Sequence, residues 1–268
     1  MTIATIALIG TAELWAVMSI AWLIERRTGN AGWIDVAWSL GTGLAGVTFA
    51  CLSVDGAAPP GLRQIAVATL VAVWSLRLAL HIARRSAAGI DDPRYAALRV
   101  EWGAAFPLRL YLFLMVQAAV ALGLAATIGL AAWNPAAPGA MDLAATLVLA
   151  AGILGEGIAD GQLRRFKADP ANRGKVCDVG LWSWSRHPNY FCEWLCWVAY
   201  PLFALSGLWP WGALALSGPL LMYWALRHAS GVPPLEEHMR RRYGEAFAAY
   251  AARVSVFFPL PPRSDPLP

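Results

Sequence analysis

Long apolar runs follow one another along most of the chain, and each is close to the roughly 20 residues that a helix needs to cross a bilayer. Short polar segments separate them. The pattern predicts an all-α, polytopic membrane protein with seven transmembrane helices, the last two joined as a tight hairpin by the stretch SGLWPWG. The predicted spans cover residues 3–24, 33–53, 64–86, 107–132, 141–163, 190–207 and 209–226.

The distribution of Lys and Arg among the connecting segments predicts the orientation, because short basic loops stay in the cytoplasm. Basic residues follow the first, third and fifth spans in ERRTGN, RRSAAGIDDPRYAALR and RRFKADPANRGKVC, and they recur in the tail, RRRYGEAFAAYAAR. The alternate links, DGAAPPGLR, NPAAPGAM and SGLWPWG, are almost uncharged. We therefore expect the N-terminus outside and the C-terminus in the cytoplasm.

The composition agrees with a membrane protein. Of 268 residues, 58% are hydrophobic and only 14% are charged, and the mean hydropathy is +0.51; a soluble domain carries roughly 25% charged residues. The net charge of +4 reflects the basic cytoplasmic loops, so nucleic-acid binding is not expected. The first span is too long, and its start too poor in positive charge, for a cleaved signal peptide, so we expect it to remain as a helix.

Two motifs that could suggest a bound group have plainer explanations. The four cysteines form no Cys-x-x-Cys pair, so neither a zinc site nor a disulfide framework is supported, and Cys192 and Cys196 are expected to be small buried side chains. The string GTGLAG, from Gly41 to Gly46, fits a dinucleotide-binding pattern but lies inside the second span, with no strand before it. These glycines are expected to let two helices approach closely.

Ionisable residues inside membrane spans are costly and indicate function. Most of those in this chain fall in the predicted cytoplasmic half, where they could converge on one polar cavity open to the cytosol. Helical spacing places several of them on shared faces, although Asp160 and Arg164 could also form a simple intrahelical ion pair. The candidates are Asp35, Arg77, His81, Asp160, Arg164, Lys167, Arg186, His187, Asn189, Glu193, Arg227 and His228.

Arginine and lysine combined with Asn, Asp and Glu suit a ligand that carries phosphates, ribose hydroxyls and amides, such as a dinucleotide. The apolar walls of the first four spans suit a lipid that enters from the bilayer. We therefore expect one continuous domain, with residues 1–132 on the substrate side and residues 141–260 on the cofactor side.

Three segments carry a resemblance to a known family: SRHPNYFCEW, the upstream DGQLRRFKADPANRGKVCDVGLWSWS, and the tail EEHMRRRYGEAFAAYAARVSVFFP. Together they resemble the bacterial branch of the steroid 5α-reductase family and, more remotely, the sterol C14-reductases. The resemblance implies a seven-helix reductase that uses NADPH to reduce the 4,5 double bond of 3-oxo-4-ene steroids. It assigns cofactor binding to Arg77, Asp160, Arg164, Lys175, Asn189, Glu193 and Tyr243, to which we add Lys167, Arg186, His187 and Arg227.

The chain departs from this family where the substrate ketone is held. The steroid enzymes use a Glu and a Tyr on the second and third spans, whereas this chain has Asp35 on the second span and Trp74 at the Tyr position. Because Asp35 has no cation beside it in its own span, desolvation favours its neutral form, which could donate a hydrogen bond to the ketone. Asp35 and His81 are the catalytic candidates.

Two other classes of function remain open. RHPNY, EE and YGEAFAAY are also similar to the isoprenylcysteine carboxyl methyltransferases and phospholipid methyltransferases, which bind S-adenosylmethionine. A non-catalytic sterol-binding or scaffold protein would not need the cofactor-shaped polar set. The reductase interpretation predicts a monomer in a bacterial inner membrane, with a steroid or sterol-like substrate, membrane lipids as neighbours and a cofactor site that faces the cytoplasm.

Overall fold

The structure is a computed structural model that describes residues 1–54, 61–89 and 92–263, and in these residues the chain is helical, with no strand. The α-helices of the described residues are α1 (Ile3–Thr28), α2 (Gly32–Cys51), α3 (Leu62–Ala87), α4 (Pro93–Trp102), α5 (Phe106–Trp133), α6 (Ala140–Ala168), α7 (Pro188–Leu205), α8 (Ser217–Trp224), α9 (Val232–Tyr243) and α10 (Glu245–Arg253).

Five helical segments of the described residues are long and apolar enough to cross a membrane. They are α1, α2, α3, α6 and the stretch Arg94–Trp133 that contains α5. Large apolar side chains stay exposed on them, such as Leu8 at 70%, Val116 at 61% and Leu147 at 60%, as expected where the surrounding medium is lipid. The first five predicted helices are therefore confirmed, and the chain is a helical membrane protein.

The last two predicted spans differ from the expectation. Helix α7 has 18 residues and contains Pro201, and it is not among the five apolar segments. After it the chain forms two 3-10 segments, the short helix α8 and a π-helical turn at Ala225–Ala229, so the seventh predicted span is not one continuous helix. Gly207, with a φ of +74°, and Pro210 interrupt the helix between α7 and α8. Seven spans are not confirmed.

The chain divides into two compact units, of which unit 1 comprises Met1–Ala145 and Tyr200–Gly218. In unit 1, α2 packs against α1, α3 and α5. A Cβ atom at Gly46 would lie 2.7 Å from Cδ1 of Ile128 on α5, and one at Gly41 would lie 3.1 Å from Val17 on α1. The GTGLAG glycines therefore serve close helix packing, as the sequence predicts.

A polar network in unit 1 surrounds Arg63, which is 5% exposed. Its guanidinium donates 2.6 Å hydrogen bonds to the carbonyl oxygens of Asn134 and Ala136, and it is paired with Asp142 and bonded to Ser206. Because the side chain has carboxylate, hydroxyl and carbonyl partners, the cation can be buried without being left uncompensated. This network joins α3, the start of α6 and the segment after α7.

Unit 2 comprises Thr146–Ala199 and the chain from Pro219 onward. Helices α6 and α7 touch where Gly152 and Gly155 face the buried thiols of Cys196 and Cys192. No disulfide joins the four cysteines. The prediction that Cys192 and Cys196 are small buried side chains is confirmed.

Helices α9 and α10 close unit 2. They meet at Gly244, whose φ is +52°, and Phe247, Tyr250 and Val254 form a small core. The hydroxyl of Tyr250 donates to the carbonyl oxygen of Trp182 at 2.7 Å, which attaches the tail to the segment before α7.

Candidate functional site

Polar side chains that include predicted site residues gather in both units of the described chain, in one cluster in unit 1 and two groups in unit 2. The first, which we call the Asp35 cluster, comprises Asp35, Asp92, Arg94, Tyr95 and Gln117 in unit 1. Asp92 caps α4 by accepting a 2.9 Å hydrogen bond from the backbone N–H of Arg94, and Pro93 occupies the first turn. This cap explains why Arg94 and Tyr95 project from the first turn of α4.

Asp35 accepts hydrogen bonds in this cluster. Its carboxylate is ion-paired with the Arg94 guanidinium and lies 3.3 Å from the hydroxyl of Tyr95. The sequence interpretation treated Asp35 as an acid without a cation and expected a neutral donor. The cation comes from another helix, α4, which the pattern within α2 could not show. The role of Asp35 as a donor to a ketone stays a prediction.

The sequence interpretation named only Asp35 of this cluster, and Tyr95 is the most consequential of the residues that it missed. It is 2% exposed, its hydroxyl contacts Asp35, and it accepts a 3.2 Å hydrogen bond from the side-chain amide of Gln117 on α5. The signal was present in IDDPRYAALR, where Asp-Pro is typical of a helix start. That segment was interpreted only as a basic cytoplasmic loop.

Asp92 holds the cations of this cluster in place. It accepts 2.9 and 3.0 Å hydrogen bonds from the Arg94 guanidinium and one of 3.2 Å from Arg85. Burial opposes its ionisation, but the hydrogen bonds and charges of Arg94 and Arg85 prevail and lower the pKa of Asp92. Arg77 and His81 lie four residues apart on α3 in the same unit, and both are half-buried.

In unit 2, the structure brings together two predicted cofactor residues from different helices. The side-chain amide of Asn189 on α7 donates to the carboxylate of Asp160 on α6 at 3.4 Å, and Asp160 is 6% exposed. One turn further along α7, Glu193 is also 6% exposed and accepts a 2.9 Å hydrogen bond from the indole of Trp197. The face of α7 that carries Asn189 and Glu193 is therefore polar and largely shielded from solvent.

A second group in unit 2, the His187 cluster, comprises Arg186, His187, Glu236 and Arg240. Glu236, 5% exposed, accepts a 2.7 Å hydrogen bond from Arg186 and lies 3.2 Å from Nε2 of His187. Arg186 also donates 2.8 Å hydrogen bonds to the carbonyl oxygens of Ala251 and Val254. Glu236 was not among the predicted site residues, because the two adjacent Glu residues in PPLEEHM carry no sign that one of them is buried.

Protonation in the His187 cluster follows from these contacts. Burial lowers the pKa of His187 below 6.5, Arg186 and Arg227 act in the same direction, and Glu236 only partly opposes them. Burial would raise the pKa of Glu236, but hydrogen bonds from His187 and Arg186 lower it to about 2. A neutral His187 then donates through Nε2 to an ionised Glu236, and its Nδ1 is a buried acceptor with no hydrogen-bond partner among the described residues.

We expect this arrangement to make stability depend on pH. Because the folded pKa of His187 is below its unfolded value, the unfolded chain binds more protons between the two values, and stability falls as the pH drops below about 6.5. His187→Gln lacks this titration but also loses the contact with Glu236. The melting temperature of wild type in detergent should exceed that of His187→Gln most at pH 7.5, and the gap should narrow toward pH 5. A gap that widens toward pH 5 would contradict a neutral His187.

The remaining cofactor candidates are more exposed. Arg164, Lys167 and Lys175 are exposed, and Tyr243 is half-buried with the Arg242 guanidinium 5.4 Å from its ring centre. Lys175 lines a cavity of about 460 Å³ together with Asn172, Tyr250 and Arg253. Arg227 is half-buried in the π-helical turn, within electrostatic reach of His187.

The five apolar helices and the two polar clusters define a helical membrane protein with ionisable groups held in its helices. The family described as "Protein of unknown function (DUF1295)" matches residues 21–254, and the chain belongs to this family. It is also similar to "Uncharacterized protein C594.04c" of Schizosaccharomyces pombe (strain 972 / ATCC 24843). The identity is 26% over 270 residues, which cover 90% of this chain and 76% of that protein. No solved structure matches the chain.

Proposed function

We propose that this protein is an NADPH-dependent reductase of a lipid enone, such as the 4,5 double bond of a 3-oxo-4-ene steroid. The observation that carries the proposal is the Asp160–Asn189 hydrogen bond, which joins two helices at positions that the resemblance to steroid 5α-reductases assigns to the cofactor. Asp160 and Asn189 are buried or half-buried, and Glu193 is buried one turn away on α7.

The residues of unit 2 fit a dinucleotide. Asn189 and Glu193 offer an amide and a carboxylate to the nicotinamide carboxamide, and Nδ1 of His187 is an acceptor whose burial without a partner costs about 1–3 kcal/mol until a donor arrives. Phe166, which lines the 460 Å³ cavity, follows Asp160 by six residues on α6, a rise of about 9 Å along the helix axis. Arg253 at that cavity lies 3.7 Å from the carboxylate of Asp178, which also lines it, so Lys175 is the cation that suits the phosphate-bearing adenosine end.

NADPH, when bound, supplies the hydride; the chain must bind and polarise the enone. We assign the ketone oxygen to the Asp35 cluster. Asp35 accepts from Tyr95 only at 3.3 Å, a long contact that the phenol can exchange for a ketone, while Gln117 continues to donate to the Tyr95 oxygen. A phenol O–H aimed at a developing enolate oxygen is the charge stabilisation that this reduction needs. Tyr95 thus takes the role that the sequence interpretation gave to Asp35.

The proposal includes the topology that the basic loops predict, with seven membrane-embedded segments, the N-terminus outside and the C-terminus in the cytoplasm. Segments α7 and α8 would complete the seven as shorter, interrupted helices, which are tolerated in a membrane where neighbouring helices cover them. The cofactor site would face the cytoplasm of a bacterial inner membrane, and the protein would act as a monomer on a substrate taken from the bilayer.

One contact favours the alternative of an S-adenosylmethionine-dependent methyltransferase. Two of the three short sequences behind that resemblance, RHPNY and EE, meet in the structure, because His187 lies 3.2 Å from Glu236. The number of apolar helices and the cations near Lys175 favour the reductase, since a methyltransferase does not bind a 2′-phosphate. A thermal shift in detergent with NADPH or with S-adenosylmethionine distinguishes the two functions, and a scaffold protein would respond to neither.

We expect NADPH to bind at least about tenfold more tightly than NADH, a difference of roughly 1.4 kcal/mol. The reason is the cationic group around Lys175, which suits a 2′-phosphate. Titrations of purified protein, followed by membrane assays of NADPH oxidation with a panel of 3-oxo-4-ene steroids, test both parts of the proposal.

Lys175→Gln should bring the two affinities together, whereas Arg241→Gln, on an exposed cation engaged by Glu237 on α9, should leave the preference unchanged. Equal affinities for NADPH and NADH in wild type would remove the argument from the 2′-phosphate.

A further inference from the structure

A groove on the surface of unit 1 runs between α1 and the start of α5, and none of its lining residues belongs to the Asp35 cluster or the His187 cluster. Its volume is about 540 Å³, within the roughly 300–1,000 Å³ of ligand pockets. Its α1 wall is formed by residues at i, i+3, i+4 and i+7, which is one face of a helix. The residues that matter here are Ser19, Trp22, Leu23, Arg26, Leu108 and Tyr111.

The aromatic wall of the groove is held in place. The indole N–H of Trp22 donates a 2.8 Å hydrogen bond to the carbonyl oxygen of Pro107, and its ring meets Tyr111 edge-on with centroids 5.5 Å apart. Trp and Tyr are the side chains enriched at membrane–water interfaces. The groove is therefore a preformed surface of an apolar helix pair, and its aromatic side chains are of the kinds that favour the region where lipid chains meet headgroups.

One end of the groove carries the positive charge of Arg26, which is exposed. The Arg26 guanidinium lies 5.7 Å from the ring centre of Trp22, and no carboxylate of the described residues lies within ion-pair distance of it. The adjacent acid, Glu25, is 5% exposed and is engaged by Arg99 at 2.8 Å. Arg26 is thus available to an external anion at one end of the apolar groove.

We infer that this groove binds one phospholipid with an anionic headgroup, its acyl chain along Leu23 and Leu108 and its phosphate on Arg26. The apolar walls exclude a fully hydrated anion as the main occupant. The guanidinium of Arg26 pairs with a lipid phosphate, and it favours a headgroup of net negative charge over a zwitterionic one, whose own cation offsets the phosphate. The assignment is independent of the reductase proposal, because it uses no residue of either cluster.

The test uses tryptophan quenching by phospholipids with brominated acyl chains, phosphatidylglycerol against phosphatidylcholine, in mixed micelles with the full chain. Wild type should be quenched at several-fold lower concentrations of the anionic lipid, and Trp22→Phe should lack that part of the quenching. Arg26→Gln should lose the preference, a change of about fivefold for one basic residue. Arg26→Lys should keep part of it.

Arg27→Gln is the matched control, because Arg27 is equally exposed but is not part of the groove, so its preference should stay that of wild type. Excess inorganic phosphate should not restore the fluorescence. The inference is overturned by equal quenching by the two lipids in wild type, by the same loss in Arg27→Gln as in Arg26→Gln, or by full competition from inorganic phosphate, which would indicate a plain anion site. If Arg26→Gln fails to fold, the quenching of Trp22→Phe and the lipid preference of Arg26→Lys still test the inference.

Discussion

Asn189→Ala and Glu193→Ala should each lower the affinity for NADPH by on the order of 100-fold or more, about 2.7 kcal/mol, and leave a folded, monodisperse protein in detergent. Asn189 is bonded to Asp160 across two helices, and Glu193 lies one turn away with its carboxylate bonded to Trp197. If the cofactor binds as proposed, each variant removes a polar contact to it in a partly closed site. A hydrogen bond to a charged group such as the Glu193 carboxylate is worth about 1.5–3 kcal/mol, and Asn189→Ala also removes the hydrogen bond to the Asp160 carboxylate. Titration of NADPH with the melting temperature recorded in parallel measures both quantities.

Glu237→Ala is the control for Glu193→Ala, because Glu237 is exposed on α9 and paired with Arg241. It should leave NADPH binding unchanged. The opposite pattern, with normal NADPH titration and a lowered melting temperature in Asn189→Ala, would make these side chains polar links between helices rather than cofactor ligands.

Tyr95→Phe should reduce the rate of hydride transfer about 100-fold while NADPH affinity barely changes. The loss corresponds to one donor to a developing oxyanion, and the variant keeps the ring that fills the buried site between α2, α4 and α5. Asp35→Leu should reduce turnover by a similar factor or more, since it removes the acceptor that orients Tyr95 and leaves the Arg94 guanidinium without one of its two carboxylates. Single-turnover measurements with a 3-oxo-4-ene steroid provide the comparison.

Tyr111→Phe is the matched control, since Tyr111 is a half-buried tyrosine on α5 outside the Asp35 cluster. Asp35→Asn separates two explanations. If Asp35 itself were the ketone's donor, Asp35→Asn would retain part of the activity, because the amide can donate in its place. If Tyr95 is the donor, Asp35→Asn should retain less activity than that, because the amide gains no role and the ion pair with Arg94 is lost. A wild-type rate in Tyr95→Phe would return the role to His81 or another donor.

The periodicity of apolar residues was sufficient for the first five membrane helices. The predicted span at 107–132 became α5 (Phe106–Trp133), and the one at 141–163 became α6 (Ala140–Ala168). Length and composition decide such helices, because lipid forces each backbone to satisfy its own hydrogen bonds. The same reasoning was wrong in predicting a single helix at 209–226. Gly207 and Pro210 interrupt the helix between α7 and α8, and a π-helical turn follows α8.

The pairing of polar residues within one helix was also readable, because i and i+4 lie on the same face. The sequence by itself determined that this is a helical membrane protein and that the GTGLAG glycines pack helices. It also marked polar residues in the apolar segments, among them Asp35, Asp160, Asn189 and Glu193. Only the tertiary structure decided their partners: Arg94 and Tyr95 for Asp35, and Glu236 for His187. The physical reason is that periodicity reports the direction of a side chain on its own helix, whereas charge state and hydrogen bonding depend on groups brought close from 49 to 60 residues away.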